Sequence, residues 1–262
     1  MKRVGIVFVC LTLVFSTVGL TTAFNNDTIY VDDDGTADYA SIQDAVDAAS
    51  DGDTIYVYCG VYNEHVVIDE KSIMLEGEDE ETTIIDAGGE DCVVEVKNTD
   101  DFVIKGFTLQ HSATGWMEAG ITLIGSNNGE ITGNIMQMND YGIVIHTSEE
   151  ISVSSNDVIQ NNVGIHLDGT KNCEVTRKTF RDNSIYGLVL QSSKSDMVTE
   201  NNFIDNTKDL SFYGIYFTEI DANYWDQLIN PYFKVHFGLL FSLIPLPGLI
   251  VDWHPADEPY EI

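Results

Sequence analysis

The chain has 262 residues, with 43 Asp or Glu against 12 Lys or Arg, and so a formal charge of −31. So acidic a surface repels phosphate backbones, anionic lipid and polyanionic substrates, which excludes nucleic acid as a partner. At 44% hydrophobic and 10% aromatic residues it is too apolar for a disordered acidic tail, and it reads as a folded protein.

Met1-Lys2-Arg3, the apolar run Val4–Leu20 and the small residues Thr21-Thr22-Ala23 are the three parts of a secretory signal. Residues 1–23 are therefore read as a signal peptide cut after Ala23, with an uncleaved anchor as the alternative. Cys10 lies inside this leader. Cys59, Cys92 and Cys173 form no disulfide framework and lack Cys-x-x-Cys metal spacing, so burial as small apolar residues is expected and no metal site is assigned. Residues 24–54 are read as an N-terminal strand and a capping helix. Ser41-Ile42-Gln43-Asp44 resembles a capping box, and Ile42, Ala45, Val46 and Ala49 share one helical face. No cofactor is required, although the acidic turns Asp32-Asp33-Asp34-Gly35 and Glu78-Asp79-Glu80-Glu81 offer oxygen ligands to calcium.

From residue 55 short alternating apolar segments follow, at Ile55–Val57, Val66–Ile68, Ile73–Leu75 and Thr83–Ile85. Then a repeat sets in. Gly120, Gly142, Gly164 and Gly187 are spaced by 22, 22 and 23 residues. One residue after each stand Ile121, Ile143, Ile165 and Leu188; three after, Leu123, Ile145, Leu167 and Leu190. Asn recurs later in every copy, at Asn139, Asn161, Asn183 and Asn206, and in a second column at Asn134, Asn156 and Asn201, where one copy has Lys178. A further copy begins at Asp209 and ends at Trp225, and an earlier one begins at Val93 with five extra residues in a loop across His111–Ala119. Period-two apolar triplets between turn residues are strand chemistry, and one copy cannot bury its apolar side alone. Residues 55–226 are thus expected to be all-β: a single right-handed parallel β-helix of about 22-residue coils, rising about 4.8 Å per coil, with the Asn columns as structural ladders. Residues 227–262 lose the repeat. Their apolar stretch Val235–Val251 contains Pro245 and Pro247, and is read as a cap over the last coil, with membrane contact second.

Ser41–Ser50, Asp51–Ile55 and Gly60-Val61-Tyr62-Asn63-Glu64 resemble the opening of pectin-lyase-like β-helix proteins, and the later Asn-bearing coils resemble NosD-type repeats. The resemblance implies the fold. It leaves activity open, since that superfamily mixes lyases, hydrolases, esterases and non-catalytic surface modules. Asn98-Thr99-Asp100 imitates one catalytic block but lacks its partners, and the chain after the leader has only Arg177 and Arg181 as arginines.

With Ile121 and Leu123 pointing inward, the alternate columns Thr122, Val144, His166, Val189 and Ile124, His146, Asp168, Gln191 are expected to face solvent. His146, His166 and Asp168 then become the catalytic candidates, as an acid/base or metal-holding group. The inserted loop offers His111, Trp116 and Glu118 for carbohydrate, with Trp116 stacking on a sugar ring; the alternative is Trp116 folded back over the sheet. Three functions remain: a secreted, extracellular, cell-surface or periplasmic module, monomeric and non-catalytic, binding polysaccharide or another surface component; a polysaccharide lyase or hydrolase; and a NosD-type periplasmic metal-handling protein. The charge itself makes a prediction. Counterions screen self-repulsion, so the melting temperature rises from low to high salt, and a scan showing no change would refute the expectation.

Overall fold

A computed structural model describes residues 26–226, 234–239, 247–252 and 254–261. The proposed leader, residues 1–23, lies outside them. The described chain is a parallel β-helix in which each coil contributes one short strand to each of three sheets, two of nine strands and one of eight. The first sheet runs from Thr28–Val31 to Glu219–Asp221, and the second from Gly60–Tyr62 to Tyr224–Trp225. The third climbs from Val66–Asp69 through the longer strands Ala119–Ile124, Tyr141–His146, Val163–Asp168 and Tyr186–Gln191 to Leu210–Tyr213.

Register follows the repeat spacing. Val94, Ile121, Ile143, Ile165, Leu188 and Leu210 pair one above another, and all are buried. In the second sheet Phe180, Phe203 and Trp225 stack face to face, with ring centroids 4.6 and 4.3 Å apart. The repeat glycines serve space. A Cβ on Gly142 would sit 2.5 Å from the Gly164 carbonyl oxygen and 2.6 Å from Val158, so no larger residue fits between coils there.

Both Asn columns are buried ladders. Asn161 Oδ1 accepts the Asn139 main-chain N–H, Asn161 Nδ2 donates to the Met136 carbonyl, and the Asn161 N–H donates to Asn183 Oδ1. Asn183 repeats the pattern with Asn206. Each amide satisfies main-chain groups that the tight corner turns away from the sheets. In the second column Asn134 leans on Asn156 in the same way, and Asn201 on Asn223. Lys178 interrupts it. Its main-chain N–H donates to Asn201 Oδ1, but its fully buried Nζ has no hydrogen-bond partner, and burial holds its pKa well below the usual lysine value.

The helix Ile42–Ala48 covers the first coil, with Ile42, Ala45 and Val46 buried. Ser41 caps it, accepting from the Asp44 N–H, while the Glu64 carboxylate accepts from Ser41 Oγ and from the Ile42 and Gln43 N–H groups. Gly60–Glu64 is thus part of the cap: Gly60 leaves room for Asp33, whose carboxylate accepts from the Val61 N–H. Thr28–Val31, in the segment read as an N-terminal strand and capping helix, pairs in register with Thr54–Val57 and so begins the first sheet. At the far end Lys234–Leu239 and Pro247–Asp252 form an antiparallel hairpin that extends the third sheet beyond Leu210–Tyr213. Asp252 accepts from Trp225 Nε1 and from the Ala222 and Asn223 N–H groups, tying the hairpin to the last coil. Among the described residues no helix is long and apolar enough to cross a membrane.

Lys178→Asn completes the ladder and removes an unpartnered buried amine, so it is expected to stabilise the fold by about 1–3 kcal/mol. Asn161→Ala, which strands several main-chain groups, is expected to cost a similar amount. Denaturant unfolding of both variants checks the pair, and a destabilised Lys178→Asn would contradict the ladder account.

Candidate functional site

The third sheet carries the site, because its six-residue strands present a longer outer face than those of the other two sheets. The loop between Thr108–Gln110 and Ala119–Ile124 is held at several points. Ser112 N–H donates to Asn139 Oδ1, Gly115 N–H to Asp140 Oδ2, and Ala113 N–H to the Asp91 carbonyl. Thr122 Oγ1 donates to the Met117 carbonyl at 2.6 Å. Those bonds fold the loop back across the sheet. Thr122, Val144 and His166, expected to face solvent, are consequently buried, with His166 only 7% exposed. The expected outward column is a second, smaller packed layer.

Trp116 forms its lid. Its ring meets His166 edge-on at 4.8 Å between centroids, Tyr141 at 6.0 Å and His146 at 6.3 Å, yet Trp116 itself stays 48% exposed. The residue folds back over the sheet and keeps about half of its surface open to solvent. One coil apart on the same face, His146 Nδ1 lies 3.0 Å from Asp168 Oδ2. A carboxylate can only accept, so Nδ1 carries a proton, and in the neutral ring the lone pair is on Nε2. His146 and Asp168 thus form a dyad able to take up a proton at Nε2 or to hydrogen-bond a ligand hydroxyl. His166 does not complete it: both its ring nitrogens are buried without a partner. Burial lowers its pKa, with a smaller downward push from His146 and an opposing one from Asp168.

The other loop candidates part company with Trp116. His111 turns toward the second sheet, with Nδ1 2.8 Å from Asp86 Oδ2, and burial works against hydrogen bonds from Gln110 and His111 that leave the Asp86 pKa below its ordinary value. Glu118 immediately precedes the third-sheet strand Ala119–Ile124, its Oε2 buried without a partner and its pKa raised by burial and by Asp91. Beside it lies a group that spacing alone did not reveal: His65, Asp91 and Cys92, each offering a ligand atom within 4.8 Å of the others. Cys59, Cys92 and Cys173 are all free thiols, the last two buried and pushed up to about 12 by that burial. In the acidic turns many oxygens are already engaged: Asp32 and Asp34 accept from residues of their own turn, and Glu78 from the Cys59 N–H. Arg177 and Arg181 pair with Glu200 and Asp182, away from His146 and Asp168.

The family described as periplasmic copper-binding protein (NosD) matches residues 46–234. No curated protein sequence matches. Among solved structures, XylC in complex with xylose shares 12% identity, covering 75% of this chain and 65% of that one, with a TM-score of 0.59. An alginate lyase from Paenibacillus shares 13%, covering 72% and 75%, with a TM-score of 0.52. Pectate lyase Pel9A shares 14%, covering 78% and 66%, also with a TM-score of 0.52. At such identities the likeness is one of fold: a pectin-lyase-like parallel β-helix.

The lowered His166 pKa sets a sign. As pH falls below the unfolded histidine value of about 6.5, the unfolded chain binds a proton that the buried ring does not, so folding stability declines. His166→Val, matching Val144 and Val189 in its own column, is expected to flatten the decline between about pH 7 and about pH 5. Urea midpoints measured across that range check it, and equal slopes in the two proteins would assign the decline elsewhere.

Proposed function

The chain belongs to the NosD family, and from that premise we propose that it is an extracytoplasmic β-helix module that binds neutral carbohydrate without cleaving it. The ledge formed by Trp116, Tyr141, His146 and Asp168 is the binding surface. The periplasmic description of the family supports the location. The observation that carries the reading is Trp116, half-exposed and yet braced edge-on by His166 and Tyr141. A ring fixed before the ligand arrives loses little entropy on binding, and its apolar face suits the C–H face of a sugar. Nε2 of His146 and the second oxygen of Asp168 lie close by for hydroxyl groups. The charge of −31 disfavours acidic polysaccharides, which makes a neutral glycan the better match.

A second reading draws on the His146–Asp168 dyad, which has the form of an oriented general base. It is the weaker one: the remaining histidine of the group is packed under Trp116, and Arg177 and Arg181 are paired with carboxylates outside the third sheet. Incubation of residues 24–262 with neutral and acidic polysaccharides separates the two. Binding, followed by calorimetry, is expected for a neutral polymer whose length by light scattering stays constant. Trp116→Ala should weaken it tenfold or more, the loss typical of an aromatic anchor. Polymer shortening that disappears in His146→Ala would replace binding by hydrolysis or lyase chemistry.

A further inference from the structure

His65 and Cys92 are 27 residues apart in the chain but adjacent in space, at the point where successive strands of the third sheet begin. His65 Nδ1 lies 2.6 Å from the Cys92 carbonyl oxygen and 3.7 Å from Cys92 Sγ. The carbonyl can only accept, so Nδ1 donates to it, and in the neutral ring the lone pair is on Nε2. A backbone carbonyl holding one ring nitrogen is the arrangement that orients histidine toward a metal at the other. Asp91 uses one carboxylate oxygen, Oδ1, on the Cys92 N–H, and the other remains for a ligand.

Two further observations point to an occupant. Glu118, which precedes Ala119 as Cys92 precedes Val93 where those two pair through the Val93 N–H and the Ala119 carbonyl, has Oε2 buried without any hydrogen-bond partner. A cleft of about 440 Å³ reaches the cluster from solvent, lined by His65 and Asp91 together with Glu64, Asp86 and Glu90. It provides an acidic approach for a cation. The donor set itself is selective. Thiolate and imidazole disfavour calcium and magnesium, whereas carboxylates disfavour a purely soft ion such as Cu(I). Mixed sulfur, nitrogen and oxygen donors suit Zn(II), whose tetrahedral bonds of about 2.0–2.3 Å place ligand atoms roughly 3.3–3.8 Å apart. In the metal-free arrangement one ring nitrogen of His65, Cys92 Sγ and one Asp91 oxygen lie within 4.8 Å of one another, so ligation requires the three side chains to draw together.

We propose that His65, Asp91 and Cys92, with Glu118 or solvent in the fourth position, form a binding site for one divalent borderline transition-metal ion, Zn(II) being the best match. The site is separate from the Trp116 ledge, so its presence does not depend on carbohydrate binding.

Metal-free full-length protein titrated with Co(II), the spectroscopic stand-in for Zn(II), is expected to develop a thiolate-to-cobalt charge-transfer absorption saturating at one equivalent. Zn(II) should displace the cobalt and raise the melting temperature. Cys92→Ser should abolish the charge-transfer absorption, while Cys59→Ser and Cys173→Ser keep it. His65→Gln, which retains the thiol, should weaken Co(II) binding about tenfold or more and serves as the second variant should Cys92→Ser fold poorly. No charge-transfer absorption in the parent protein, or one that survives Cys92→Ser, would overturn the proposal. Cu(I) binding with no binding of Zn(II) or Co(II) would overturn the assignment to a divalent ion.

Discussion

Every coil of this protein must hand its main-chain hydrogen bonds to the coil above and below, and the corners where the chain turns are the places where that exchange fails. Asn side chains repair it. Stacked at Asn139, Asn161, Asn183 and Asn206, they accept from a corner N–H of the preceding coil and donate to a carbonyl three residues earlier in that same coil. An unpaired buried amide costs about as much as a lost hydrogen bond, so a ladder several coils long decides whether the stack closes. Lys178 shows the same constraint from the other side, as a long amine where a short amide belongs.

Once the stack is fixed, its outer faces become rigid rulers. Residues 22 apart, such as His146 and Asp168, are held side by side without any effort from their own side chains. The 27-residue coil that precedes the regular ones breaks this uniformity with an inserted loop, and that loop shapes both candidate regions. Its middle lays Trp116 over the third sheet; its end sets Glu118 beside Asp91 and Cys92. One insertion thus serves two regions, an aromatic ledge on the outer face and a polar cluster at the strand entrances.

The two regions differ in how they are supported. The ledge rests on packed rings and on loop hydrogen bonds to Asn139 and Asp140, which belong to the regular coils. The cluster draws on the less regular early coils, where Glu64 of the neighbouring turn is committed to the helix N-terminus and His65 is left facing the acidic cleft. The loop is held to the rigid coils by main-chain bonds at Ser112, Ala113 and Gly115.

Several features were legible in the amino-acid sequence by itself. The glycine and asparagine spacing determined the coil length, the inward columns and the ladders, because those depend only on a strand period of two and a fixed rise per coil. The Ser41 cap and the apolar face of the first helix were equally local. Tertiary structure decided what periodicity cannot encode. It buried Thr122, Val144 and His166, since a loop folding back over a sheet leaves no repeat in the sequence. It sent His111 to Asp86 and away from Trp116, and it joined His65 to Cys92 across a coil of irregular length. Such meetings depend on where the insertion lands in three dimensions, and a pattern of residues along the chain carries no distance across it.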